Sequence, residues 1–157
     1  MSGRELGRIA DRIRRQLDDL EGMVSRIGSI RAGFGGRDEE MYLYAIAFNL
    51  QGFYSRPERL LIRIAGTIDG WVPQGDTWEA QLLAQMTADR APFRPAVLSE
   101  SVGDRLDDLR SFRDAALYDL RLDPERVEAL VEVVPELFEG VRAELRAFAD
   151  FLEARQT

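Results

Sequence analysis

The chain has 157 residues, a formal net charge of −7, and neither histidine nor cysteine. Its length suits one domain with its own core, and its hydrophobic share of 45% is too high for a disordered chain. The absence of histidine and cysteine excludes thiol nucleophiles, histidine acid–base catalysis and most zinc sites. Carboxylates, Tyr and Arg are the catalytic groups that remain, and neither a metal nor another cofactor is expected.

The composition also bears on where the chain works. No run approaches the roughly 20 apolar residues of a membrane span, and the Arg-rich start alternates with acids, unlike a targeting peptide. Because there are no disulfides to form, we expect a cytoplasmic protein without membrane contact. The negative net charge does not attract nucleic acid, although a local arginine cluster can still hold phosphates.

The first half of the chain predicts two long helices. Apolar residues recur every three or four positions over 6–27, which indicates an amphipathic helix that ends at the glycines within 33–36. A second helix is predicted over 38–71, with acids in its first turn and an early part that is apolar on nearly all sides. Pro57 should kink this helix, because proline removes a backbone donor and crowds the preceding turn.

Two further helices follow, separated by irregular connections that contain prolines. A short helix is predicted over 77–88, with Thr77 at its cap. A fourth helix, capped by Ser99 or Ser101, is predicted to run to Leu120.

The last helix has a strong start signal. Asp123 supplies an acidic cap and Pro124 occupies the first helical position, while Pro135 predicts a bend further along. No strand-like alternation longer than a few residues is present. We therefore expect a single all-α domain over 1–157, an antiparallel bundle of four to five helices with kinks at prolines.

The fourth helix carries the most informative polar residues. Arg110, Asp114 and Tyr118 recur every four positions and so form one stripe, while Arg113 lies on a neighbouring face. Taken alone, Arg110 and Asp114 are an ordinary surface pair worth a few tenths of a kcal/mol.

Two arginines of the second helix are also candidates. Arg59 and Arg63 lie four positions apart, next to Glu58, and share a face just beyond Pro57. Surface charge is the simpler interpretation, and RNA binding is the alternative.

Four segments, in this order, resemble the HepT-like branch of the HEPN superfamily: MYLYAIAFNLQGFYSRPERLLIRIA, IDGWVPQGDTWEAQLLAQM, RPAVLSE and LRSFRDAALYDLRLDPERVEALV. The likeness extends over essentially the whole chain. It implies a HEPN-like bundle that forms a homodimer and cleaves RNA without a metal. It further implies a type VII-like toxin–antitoxin pair, in which an MNT-type nucleotidyltransferase antitoxin silences the toxin by attaching AMP to a motif Tyr.

The family's motif, R-x4-H-x-Y, maps onto the fourth helix. Arg113 matches the Arg that holds RNA phosphate, and Tyr118 matches the Tyr that receives AMP. The motif is shortened here, and its His is absent. Arg113 and Tyr118 are therefore about 140° apart around a helix, whereas Arg110 is only about 80° from Tyr118 and can substitute.

The missing His leaves the proton acceptor open between Asp114 and Glu79. The favoured hypothesis is a HepT-like toxin with a degenerate ribonuclease motif, in which Arg113 and Arg110 hold phosphate at a dimer cleft. The alternative is a catalytically inactive HEPN binding module that assembles with its MNT partner. A helical scaffold without a nucleic-acid role is a third, weaker hypothesis.

Overall fold

The structure is a computed structural model that describes residues 2–118 and 122–156, without the side chains of residues 117 and 118. Within these residues the protein is all-α, as predicted, with no strand. The five helices are α1 (Gly3–Gly33), α2 (Glu39–Ile64), α3 (Trp78–Thr87), α4 (Glu100–Tyr118) and α5 (Pro124–Ala154).

Side-chain caps explain where the long helices begin. Ser2 and Glu5 form a reciprocal capping box at the start of α1. Asp38 accepts a hydrogen bond from the backbone N of Met41 at 3.2 Å, and Asp123 accepts one from that of Glu125 at 3.0 Å. These carboxylates satisfy backbone donors that a helix leaves unpaired and complement the helix dipole.

Ion pairs between helices show that neighbouring helices run antiparallel. Arg14 lies 2.7 Å from Asp150, whereas Arg31, further along α1, lies 3.4 Å from Glu132, which is earlier in α5. The same reversal relates α4 and α5, where the backbone N of Ser99 bonds Glu144 and Arg105 pairs with Glu136. The predicted antiparallel bundle is therefore confirmed for these helices.

The core lies between α1, α2 and α5 and extends to α3 and α4. α2 is the central element, because one broad face of it is buried against the other helices, although the predicted burial on nearly all sides is not found; the residues of this face include Ile46, Leu50, Phe53, Leu60, Leu61 and Ile64. Each fully buried side chain of this size contributes about 1.5–3 kcal/mol relative to an exposed one. This burial fixes α2 as the scaffold against which α4 and α3 place the polar residues described below.

A buried arginine joins the connections around α3. Arg94 is 1% exposed and makes a bidentate pair with Asp69, with Nε–Oδ1 at 2.6 Å and Nη2–Oδ2 at 2.8 Å. Its remaining N–H groups donate to the backbone carbonyls of Gln85, Ala88 and Pro95 at 2.9–3.1 Å. All five guanidinium donors are thus satisfied, which is the condition under which a buried charge is tolerated.

The structure modifies the expected end of the second helix. α2 ends at Ile64 and continues as a π-helical turn, Ala65–Asp69, so the helical chain stops just before Gly70 instead of at Trp71. Gly70 adopts a φ of 83°, a conformation in which a side chain is disfavoured, and this ends the helix.

The cap of α3 also differs from the prediction. Thr77 is the N-cap residue, but its hydroxyl accepts from Gln81 Nε2 at 2.8 Å and caps no backbone N–H. Of the two predicted caps of α4, Ser99 and Ser101, the structure shows Ser99, whose hydroxyl accepts a hydrogen bond from the backbone N of Val102 at 3.2 Å. The predicted end of α4 at Leu120 lies outside the described residues.

Pro57 and Pro135 both lie inside continuous helices, α2 and α5 respectively. The bends that we expect at these two positions stay predictions. Throughout the part of the chain that the structure describes, no helix is both long enough and apolar enough to cross a membrane.

Candidate functional site

The candidate site forms where α4 packs against α2 and α3. There, the guanidinium of Arg113 meets three carboxylates. Its Nη1 lies 3.3 Å from both carboxylate oxygens of Glu58, Nη2 bonds Glu79, and Nη2 also lies 3.2 Å from Asp114. The aromatic ring of Tyr54 lies beneath the guanidinium, 4.7 Å from its carbon. Three helices therefore converge on one cation.

The site is largely shielded from water. The side chains of Arg113, Glu58 and Glu79 are only 13%, 11% and 19% exposed, so their ion pairs are screened less than surface pairs. Tyr54 is 2% exposed, and its pKa is raised by burial and by the neighbouring charge of Glu58. The phenol is therefore neutral and acts here as a flat face for the cation.

Arg110 extends the same cluster along α4. Its Nε lies 2.8 Å from Asp107 and its Nη1 lies 3.1 Å from Asp114. Asp114 therefore bridges Arg110 and Arg113 through its two oxygens. The predicted pairing of Arg110 with Asp114 is present, but it belongs to a network and not to an isolated surface pair.

Negative charge exceeds positive charge in this cluster. Two guanidinium groups face four carboxylates, those of Glu58, Glu79, Asp107 and Asp114. Burial raises the pKa of Glu79, and the charges of Glu58 and Asp114 add to this increase, although Arg113 opposes it. Among the described residues, no group of three or more carboxylates is placed to hold a metal ion.

The structure brings together the candidates Arg110, Arg113, Asp114 and Glu79, but not Arg59 and Arg63. Arg59 and Arg63 are exposed on α2, and neither forms an ion pair with any residue of the described ranges. Arg59 directly follows Glu58, so its side chain points about 100° away around the helix. The side chain of Tyr118 lies outside the described residues, and its predicted role as AMP acceptor stays a prediction.

The surroundings of Arg113 differ from the sequence-based expectation of an arginine open to solvent, and its predicted role in holding RNA phosphate stays a prediction. The carboxylates of its own chain occupy its donors. Sequence reasoning considered Glu58 only as part of a surface and did not identify Tyr54. The sequence does contain a local signal, because Tyr54 and Glu58 are four residues apart and therefore lie on one face of α2. No sequence signal shows which other helix that face contacts.

A second feature is an exposed apolar stripe at the start of α2. Met41, Tyr44 and Phe48 recur every three or four residues and are 68%, 49% and 73% exposed. Large apolar side chains that share one exposed face often mark a binding surface. The stripe continues along the same helix face to Arg59, which is also exposed.

Comparison with known proteins identifies the class of this bundle. The model of a family described as HepT-like protein matches residues 45–152, which is more than half of the chain and includes α3, α4 and most of α2 and α5. The chain therefore belongs to the HepT-like family of the HEPN superfamily. No curated protein and no solved structure matches it.

Proposed function

We propose that this HepT-like protein acts by assembly with an MNT-type nucleotidyltransferase and does not cleave RNA. One observation carries this proposal: the guanidinium of Arg113 is held by Glu58, Glu79 and Asp114 of its own chain. A ribonuclease of this family would need that guanidinium to receive a phosphate.

The charge of the cluster opposes RNA binding. A phosphodiester would have to displace carboxylates from Arg113 while remaining close to them. At an effective dielectric constant of about 20, two like charges about 4 Å apart repel by about 4 kcal/mol. Attraction to the Arg113 guanidinium at the same distance has the same size, so it offsets the repulsion from only one of the three carboxylates that surround this guanidinium.

The same contacts occupy the groups proposed as proton acceptors. Asp114 is bonded by both Arg110 and Arg113, and Glu79 is bonded by Arg113. A general base must reach the proton that it removes, and here each carboxylate is directed at a guanidinium. The chain contains no histidine to take this role.

The exposed stripe on α2 supplies a surface for a second copy of the chain. The N-terminal end of α2 carries the exposed acids Asp38, Glu39 and Glu40, and its C-terminal half carries the exposed cations Arg59 and Arg63. Two copies of α2 that pack antiparallel across their stripes would place the acidic end of one against the basic half of the other. Such a two-fold arrangement is the usual symmetry of a homodimer.

Membership of the HepT-like family supports the nucleotidyltransferase partner, and the motif likeness supports Tyr118 as the AMP acceptor. Co-expression of the chain with the nucleotidyltransferase encoded beside its gene should give a complex that survives size-exclusion chromatography. We expect no growth arrest and no tRNA cleavage by the chain alone. Cleavage that is lost in Arg113→Ala would overturn the proposal and restore the ribonuclease hypothesis.

The proposed dimer surface has its own test. Phe48→Asp places a charge on the α2 stripe and should convert the dimer to a monomer in sedimentation equilibrium. Val133→Asp is the matched control, because Val133 is a comparably apolar residue, 41% exposed, on α5. If both substitutions weakened the dimer equally, the exposed stripe on α2 would not be the dimer interface.

A further inference from the structure

The contact between Glu79 and Arg113 resembles the way proteins hold phosphate. A guanidinium presents its N–H groups as a planar fork that fits a carboxylate or a phosphate oxyanion equally well. Glu79 accepts a hydrogen bond from Nη2 of the Arg113 guanidinium, and both side chains are mostly buried. The carboxylate thus lies where a phosphate oxygen would bind.

Of the three carboxylates on Arg113, Glu79 is the least tied to the rest of the protein. Glu58 lies on the central helix α2, is 11% exposed and interacts with Tyr54. Asp114 is shared with Arg110. Among the described residues, Glu79 has an ion pair with Arg113 alone.

The position of Glu79 in the chain also allows it to be withdrawn. It is the second residue of α3, and the four residues before this helix, 74–77, are all exposed. The helix begins without a side-chain cap on its backbone N–H groups. Exposed segments with few buried contacts move at low free-energy cost, which applies to residues 74–77. Trp78 keeps the start of α3 packed against the core, so Glu79 is withdrawn by turning its side chain and not by unfolding the helix.

We propose that Glu79 is an autoinhibitory residue, whose carboxylate occupies a phosphate-binding position on Arg113 and whose withdrawal or neutralisation opens that position to a phosphate oxyanion. The inference rests on the proposed function, because it requires that Arg113 be closed in the unmodified chain. The excess negative charge of the cluster supports it, since removing one carboxylate both frees a donor and lowers the repulsion of an incoming phosphate.

The test compares two substitutions that remove the same charge. Glu79→Gln neutralises the residue on Arg113, whereas Asp107→Asn neutralises a residue that bonds Arg110 and not Arg113. Binding of a short labelled single-stranded RNA is measured by fluorescence anisotropy at about 50 mM salt, where phosphate contacts are strongest. Glu79→Gln should bind about tenfold to a hundredfold more tightly than Asp107→Asn. Adding Arg113→Gln to Glu79→Gln should abolish the gain.

The outcomes separate this inference from the proposed function. If a folded Glu79→Gln protein binds RNA no better than Asp107→Asn does, the autoinhibitory role is wrong and the proposed function stands. If the unmodified chain already binds RNA through Arg113, both are wrong. Competition with inorganic phosphate identifies the source of the oxyanion: displacement of the RNA indicates a site for free phosphate, and no displacement indicates a site for the polymer. Glu79→Ser provides a second variant should the Gln variant be unstable.

Discussion

The buried pair of Arg94 and Asp69 gives the sharpest test of how this bundle is held together. The two side chains are 0% and 2% exposed, and Arg94 also bonds three backbone carbonyls. Arg94→Met keeps most of the apolar stem but removes every one of these bonds. It leaves the Asp69 carboxylate buried, with Gln85 at 2.7 Å and Arg90 at 3.7 Å as its remaining partners.

The expected loss is large because one partner of a buried ion pair is removed. Such substitutions cost about 3–5 kcal/mol, mostly because the remaining charge is left without compensation. In a chain of this size, each kcal/mol lowers Tm by about 2–4 °C, so Arg94→Met should melt about 6–20 °C below the unmodified protein. Thermal denaturation followed by far-ultraviolet circular dichroism measures this difference.

Arg14→Met is the matched control. Arg14 also makes close bonds, at 2.7 Å to Asp150 and at 3.1 Å to Glu153, but these three side chains are 40%, 70% and 43% exposed. Exposed pairs contribute at most about 1 kcal/mol, so this variant should lose less than about 4 °C. If the two variants lost the same stability, burial would not be what distinguishes the pairs, and the reasoning would fail.

Three further predictions concern pH and helix propensity. Arg94 and Gln85 lower the pKa of Asp69 despite its burial, so the Arg94–Asp69 pair stabilises the fold above pH 3.8 and ceases to do so as the pH falls below that value. The difference in Tm between Arg94→Met and the unmodified chain should therefore become smaller in acid. For Glu79 the sign is opposite, because burial raises its pKa above 4.5 and the folded state therefore loses stability as the pH rises above 4.5. Glu79→Gln lacks this ionisation, so its free energy of unfolding in urea denaturation should increase relative to that of the unmodified chain as the pH rises above 4.5. If the difference between a variant and the unmodified chain did not change with pH, the pKa shift inferred for Asp69 or for Glu79 would be wrong. Gly22 is an exposed residue of α1, and nothing lies within 4 Å of an added Cβ. Because alanine favours the helix more than glycine does, Gly22→Ala should raise the free energy of unfolding by about 0.5–1 kcal/mol in urea denaturation. A lower free energy of unfolding would show a contact that the structure does not contain.

Local signals account for most of the fold that the sequence predicted. The start of α5 is one example, because Asp123 and Pro124 act through backbone groups of the next few residues. The end of α1 at Gly33 is another. The π-helical continuation of α2 was not predicted, since its hydrophobic pattern does not distinguish π from α geometry over five residues.

The candidate site was predictable only in part, because its contacts join separate helices. The spacing of Arg110 and Asp114 indicated their bond, since both lie on α4. The contact of Arg113 with Glu58 crosses 55 positions of sequence, and no periodicity shows which helices pack together. Arg94 was missed for the same reason: an arginine is usually exposed, and its buried partner Asp69 lies 25 positions away.

The most direct measurement of the central claim is the NMR signal of the Arg113 Nε–H group in the isotopically labelled chain. We predict that this signal shifts in Glu79→Gln, because the electrostatic environment of the guanidinium changes, and that adding RNA to the unmodified chain leaves it unmoved. A shift of the Arg113 signal when RNA is added to the unmodified chain would show that phosphate reaches the guanidinium and would contradict the account.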